Sequence, residues 1–255
     1  HTVFLPTMWK ACLDAETYRD GGGTVAEVTQ HRVGIHSRSA MAGVANIGDV
    51  VNWTGSDMAQ ANWYAFGRLC WNTELSAAQI AEEFLKQTFS ADEHFVEPVR
   101  QLLLRSWDTA VSYMMPLGLH HIFSFGHHYG PEPWCAPPNT RLDWLPKYYH
   151  RADSIGIGFD RTVRGSKAVL QYHEPLATFY GDLETCPEDY LLWFHHVPWG
   201  YVMRNGLTLW DNLCYIYNDG AEEAREFVDL WQKARPYIDS ERYERLLKRF
   251  ERQAK

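Results

Sequence analysis

Residues 116–149 read PLGLHHIFSFGHHYGPEPWCAPPNTRLDWLPKYY, and their proline and glycine content rules out a long helix or a central strand there. Proline lacks the amide donor that both structures need, and an interior glycine weakens either. The stretch is predicted to be a stiff, irregular loop, and such loops lie on surfaces and carry function. Two histidine pairs, His120 with His121 and His127 with His128, flank a Phe/Gly hinge, and Tyr129, Trp134, Trp144, Tyr148 and Tyr149 follow. Planar rings on a rigid loop suit sugar binding, because apolar ring faces stack on aromatic faces while hydroxyls find polar neighbours. Any single ring here is still as readily explained by core packing. The paired imidazoles invite a zinc reading, but neither HExxH nor CxxC spacing accompanies them, so no metal and no cofactor are expected.

The rest of the composition agrees with carbohydrate handling. Aromatics make up 15% of the 255 residues, with eleven Trp and fourteen Tyr, and the formal charge of −8 repels phosphate backbones, so nucleic acid is not an expected partner. Five scattered cysteines form no framework and read as free thiols. No apolar run reaches membrane-spanning length and no signal peptide is visible, so no membrane partner is expected; the compartment stays open between cytoplasmic and extracellular. The opening HTVFLPTMW, without an initiator Met, looks like the middle of a longer protein.

In chain order, residues 1–5 read as an extended piece and 8–18 as a helix, with 24–31 as a connector. The small, nearly uncharged run 39–48 suits a strand buried on both faces, as parallel sheets use. Ser56 or Asp57 then caps a helix carrying Met58, Ala61, Trp63, Ala65, Phe66 and Leu69. That order makes one βα unit, and in a βα barrel the functional groups sit in the loops after the strands, which singles out Asn46, Asp49, Asn52 and Trp53. Asp49 is equally readable as a turn or helix-cap carboxylate. From Ser76 the texture becomes helical: a capping box at Ser76 and Gln79, then an apolar period over 95–115 with Pro98 near its first turn. GIGFD lacks a dinucleotide fingerprint. A helix over 166–180 bent at Pro175, another starting at Thr185 and Pro187, two amphipathic helices over 206–218 and 221–237, and a solvated charged helix over 239–255 complete the pattern. The expected fold class is mainly α, a helical domain at 76–255 preceded over 1–75 by the last βα units of a barrel.

Five blocks, SAMAGVANIGDVVNWTG, AQANWYAFGRL, YMMPLGLHHIFSFGHHYGPEPW, YYHRADSIGIGFDRT and CPEDYLLWFHHVPW, stand in an order that resembles the C-terminal part of the glycoside hydrolase family 67 α-glucuronidases. The resemblance implies a remnant of a (β/α)8 catalytic barrel followed by the family's helical C-terminal domain. It also implies an enzyme of xylan breakdown that hydrolyses the α-1,2 bond of (4-O-methyl-)glucuronic acid on xylooligosaccharides with inversion. Inverting chemistry places one carboxylic acid at the leaving oxygen and a base at a water across the ring. By the same resemblance those carboxylates lie upstream of His1, so no residue here is expected to be catalytic and the chain alone is expected to be inactive. Trp144 in RLDWLP matches the family's pocket-lining tryptophan. His127, His128, Tyr129 and Arg151, with Asn46 and Asp49 from the barrel loop, are the remaining candidates for substrate contacts. Glucuronoxylan-derived oligosaccharides and a homodimer through the C-terminal domain are the implied partners. Three other readings remain beside it: a non-catalytic carbohydrate-binding or dimerisation helical module, a zinc hydrolase on the four central histidines, and acid–base work by Glu132 or Asp143.

Overall fold

The computed structural model describes residues 2–18, 21–30, 32, 40–44, 52, 54–120 and 132–255. The described residues are mostly helical: α1 (Pro6–Asp14), α2 (Val25–Thr29), α3 (Asp57–Trp71), α4 (Ala77–Thr88), α5 (Glu93–Met114), α6 (Pro146–His150), α7 (Leu176–Gly181), α8 (Leu191–Phe194), α9 (Leu209–Lys233) and α10 (Ser240–Gln253). One small sheet pairs β1 (Gly156–Ile157) with β2 (Val197–Pro198). The chain divides into two compact units, His1–Thr109 with Glu223–Lys255, and Ala110–Glu222, so the boundaries fall inside α5 and α9.

The first unit is a capped helical assembly. Ser56 Oγ accepts the Ala59 amide at 3.1 Å to start α3, which buries Met58, Ala61, Ala65 and Leu69 on one stripe, as their spacing predicts. The Ser76/Gln79 box forms with both reciprocal bonds, and α4 buries Ile80, Ala81, Phe84 and Leu85. Pro98 lies inside α5, past its first turn. α1 ends at Asp14, short of the predicted residue 18, because Ala15 is extended and Glu16 bridges Thr24. The supposed connector 24–31 holds α2, started by a Thr24/Glu27 capping box. Residues 40–44, expected in a buried strand, are exposed and form no strand; among the described residues no backbone pairs with them, and unpaired backbone at the surface stays with water. The remaining positions of that predicted strand, with Trp53, lie outside the described residues.

The core of this unit gathers Phe4, Phe84, Phe95, Phe227, Trp231 and Phe250. Trp231 is fully buried, donates from Nε1 to the Tyr243 carbonyl at 3.1 Å, and packs against Phe250 at 5.5 Å and edge-on to Phe89 at 6.2 Å. α10 is more than a solvated charged helix: it buries Tyr243, Leu246 and Phe250. Its Arg245 also clasps the buried Asp57 carboxylate at the start of α3 at 2.9 and 3.1 Å, and Arg249 donates to the Gly55 carbonyl.

The second unit is built from short pieces. Gly156 pairs with Pro198 and Ile157 with Val197 in the antiparallel sheet, and a Cβ on Gly156 would stand 2.0 Å from the Val197 carbonyl oxygen. The glycine spacing of GIG therefore serves a close approach of two backbones. The predicted bent helix over 166–180 is two elements, a 3-10 turn at Ala168–Gln171 and α7, with Pro175 at the cap position between them. Proline's missing amide costs nothing at a helix start, which makes it a boundary here instead of a bend. The helix predicted from Pro187 is likewise a 3-10 turn, Glu188–Tyr190, leading into the one-turn α8. The two helices predicted on either side of Asp219 and Gly220 are one, α9. Gly220 is the reason: it is buried, and a Cβ there would meet Ser112 Cβ at 2.7 Å, so the glycine lets α5 approach and breaks nothing.

Candidate functional site

The described part of the aromatic loop lies in the second unit. A 3-10 turn, Leu142–Trp144, runs into Leu145 and Pro146, and proline at the first position opens α6. Trp144 is half-exposed, with Arg141 Cζ 5.3 Å from its ring centroid; Arg141 in turn pairs with Asp143. Asp143 is thus held by a guanidinium, an arrangement suited to positioning the indole. Trp134 is 76% exposed. Arg151 ends α6 in the left-handed region, φ 40°, and donates from Nε to the Tyr148 carbonyl at 3.3 Å.

Behind these residues runs a lattice of rings and cations. Tyr148 meets Tyr149 edge-on at 5.2 Å and Phe159 at 5.3 Å. His120 packs edge-on against Tyr149 at 5.6 Å and Trp193 at 5.2 Å. Arg161 is 8% exposed, lies 3.6 Å from the Trp193 ring centroid and donates to the Trp193 carbonyl at the end of α8. Burial pulls its guanidinium below the ordinary range. Sequence reasoning missed Arg161 and Trp193 as partners; the available signal was a cation directly after the glycine-spaced apolar run GIGF and Asp160.

Besides His120, three described imidazoles, His150, His195 and His196, are packed into this unit. His150 is buried, and among the described residues its Nε2 has no hydrogen-bond partner; burial holds it neutral to lower pH than usual. His195 Nε2 lies 2.9 Å from the Tyr180 carbonyl, and burial also lowers its pKa, against smaller opposing effects. His196 Nε2 stands at ion-pair distance, 3.2 Å, from Asp153. The Gly156 and Ile155 amides, more than His196, hold the Asp153 carboxyl below the usual range.

Of the candidate residues, the structure brings Trp144 and Arg151 to the two ends of α6. His127, His128, Tyr129, Asn46 and Asp49 lie outside the described residues, as does His121 of the zinc reading. Among the described residues no cluster of three His, Cys, Asp or Glu side chains is placed to hold a metal, and no helix is long and apolar enough to cross a membrane.

The comparisons with known proteins converge. The model of the glycosyl hydrolase family 67 C-terminus matches residues 54–255, and that of the family 67 middle domain matches residues 1–53. Alpha-glucuronidase A of Emericella nidulans is 35% identical over all of this chain and 30% of its own length. A probable alpha-glucuronidase A of Aspergillus niger is 34% identical, and alpha-glucuronidase A of Aspergillus tubingensis 33%, with the same coverage. The chain thus spans about a third of the length of these relatives. Matched from its first residue to its last by two adjoining models of one family, the chain belongs to glycosyl hydrolase family 67.

Proposed function

We propose that this chain is the C-terminal portion of an α-glucuronidase that hydrolyses the α-1,2 bond of (4-O-methyl-)glucuronic acid on xylooligosaccharides with inversion. In this reading residues 1–75 are the end of the catalytic (β/α)8 barrel and 76–255 its helical domain. The chain contributes pocket wall and dimer contacts, and the catalytic carboxylates lie upstream of it. The observation that carries the enzyme class is the end-to-end match to relatives named alpha-glucuronidase. Trp144 supports the share given to this chain: a half-exposed indole backed by Arg141 offers a flat apolar surface to a sugar ring.

The substrate-binding roles of Arg151, His127, His128, Tyr129, Asn46 and Asp49 belong to the same proposal. The test compares two proteins on one aldouronic acid. The complete protein should release glucuronic acid, with the α-anomer of the bond giving the β-product first, and the 255-residue chain should release none. Turnover by the chain alone would put the carboxylates within it; a complete protein that binds but never turns over would leave only a carbohydrate-binding module. Sedimentation of the complete protein as a monomer would remove the dimer contacts from the reading.

A further inference from the structure

The turn that leads into α9 carries Asn205 followed by Gly206, the one Asn-Gly pair in the sequence. It is closed by a bridge between Val202 and Thr208. Asparagine before glycine is the pair most open to deamidation, because no side chain shields the following amide nitrogen from the asparagine's own Cγ. Both residues are exposed, so water and hydroxide reach them. Among the described residues, chain neighbours apart, no heavy atom lies within 4 Å of the place a Cβ on Gly206 would take.

The folded turn opposes that reaction in two places. The Gly206 amide, which would attack, donates to the Met203 carbonyl at 2.9 Å, with Gly206 left-handed at φ 86°. The Asn205 side chain, which would be attacked, is held at both ends. Its Nδ2 donates to Asn212 Oδ1 at 2.7 Å, and its Oδ1 accepts the Leu207 amide at 3.1 Å and Asn212 Nδ2 at 3.2 Å. Asn212 is 6% exposed and its Nδ2 also donates to the Thr208 carbonyl at 3.0 Å, so the clamp is anchored in the first turn of α9. Only a second amide offers a donor and an acceptor in the head-to-tail geometry that this clamp uses.

We propose that Asn205 is a deamidation site restrained by Asn212, and that it is modified when the clamp opens. The Gly206 nitrogen then bonds to Asn205 Cγ and its proton passes to hydroxide. The Cγ–Nδ2 bond breaks, and Nδ2 leaves as ammonia after taking a proton from water. Water reopens the resulting succinimide at either carbonyl, and the released nitrogen takes back a proton, leaving aspartate or isoaspartate at this position. The product has no amide donor for Asn212 Oδ1, and isoaspartate lengthens the main chain inside the turn, so either form loosens the entry to α9.

The full chain, incubated at mildly alkaline pH with and without enough urea to unfold it, tests this by peptide mapping. Mass spectrometry reads the gain from replacing NH2 by OH at Asn205. The folded parent should react more slowly than the unfolded one by about tenfold or more, and both rates should rise with pH. Asn212→Ala, with a circular dichroism spectrum matching the parent, should speed the folded-state reaction by about tenfold, since two clamp bonds are lost, and leave the rate in urea unchanged. Asn212→Asp keeps an acceptor for Asn205 Nδ2 and loses the donor; its folded-state rate should fall between the two, and it serves as the test if Asn212→Ala does not fold. Equal rates in the folded and unfolded parent would overturn the proposal, as would a folded Asn212 variant that deamidates no faster than the parent.

Discussion

The two units use aromatic residues in opposite ways. In the first, Phe84, Phe95, Phe227, Trp231 and Phe250 are wholly enclosed between helices with side-chain caps, and their rings touch mostly other apolar groups. In the second, Tyr148, Tyr149, Phe159 and Trp193 are joined through guanidinium groups and imidazole, on elements only a few residues long, and Trp134 and Trp144 face solvent. Helix pairs supply a surface on which a ring can be buried from every side. A chain of turns does not, and there the rings gain stability from faces offered to cations, about 0.5–2 kcal/mol each depending on how far they are desolvated. The same arrangement leaves ring faces and charges near the surface, where a polar ligand can reach them.

The difference predicts its largest consequence at Trp231. Trp231→Ala should cost about 3–5 kcal/mol, since it removes a fully buried ring and leaves a cavity among Tyr243, Phe250 and Phe89. Urea titration followed by circular dichroism would measure it. A loss below about 1 kcal/mol would mean that this core can collapse around the gap, and the contrast between enclosed and bridged rings would fail.

Gly220 sharpens the comparison from inside the second unit, at the helical approach of α9 to α5. In an ordinary exposed helix interior, Gly→Ala stabilises by about 1 kcal/mol. Gly220→Ala should instead destabilise by about 1–3 kcal/mol, because the new methyl would press on Ser112 Cβ and the Tyr113 amide at 2.7 and 2.8 Å. A stabilised variant would show that the close approach is not needed.

These residues also show how far the sequence reaches. The helices of the first unit are legible because their information is local: Ser76 with Gln79 states a start, and Met58, Ala61, Ala65 and Leu69 state a face. Even α2 was written out in Thr24 and Glu27, a capping box read as a connector. Gly220 misleads because its reason is Ser112, far away in the chain, and α10 misleads because its charges mask a buried face. In the candidate site, the resemblance marks Trp144 and Arg151 for the proposed substrate roles, and over the described residues 132–149 the proline content goes with short turns and the five-residue α6. Arg161 beside Trp193 is set by the register of 159–161 against 192–194, and no spacing within one segment encodes that pairing.

Acid should separate the units by a smaller margin. Burial lowers the pKa of His150 and His195 from the ordinary 6.5, so the folded state holds them neutral where the unfolded chain would take up protons. Their contribution is fully present above pH 6.5 and is lost as pH falls from there through the depressed folded values. Hydrogen exchange, corrected for its intrinsic pH dependence, should show protection falling between neutral pH and mild acid in residues 132–222 more than around α4 and α10. His150→Gln should flatten that dependence. Protection that rises on acidification would reverse the sign and exclude desolvation as the cause.

The smallest effect on stability is expected at the other tryptophan, and there the comparison is tested most directly. Trp144 is half-exposed, and the Arg141 that lies over its ring is itself exposed, so Trp144→Ala should change the unfolding free energy by only about 0.5 kcal/mol. In the complete protein the same substitution should raise KM for the aldouronic acid by about 5- to 150-fold, the equivalent of losing about 1–3 kcal/mol of ring stacking, while the pH profile of turnover stays put. Trp231→Ala should behave in the reverse way: a large loss of stability, and no change in KM at temperatures where the protein remains folded. If both substitutions cost stability alike and neither moves KM, then Trp144 is packing like any other ring, and the bridged unit is a core that merely lacks long helices.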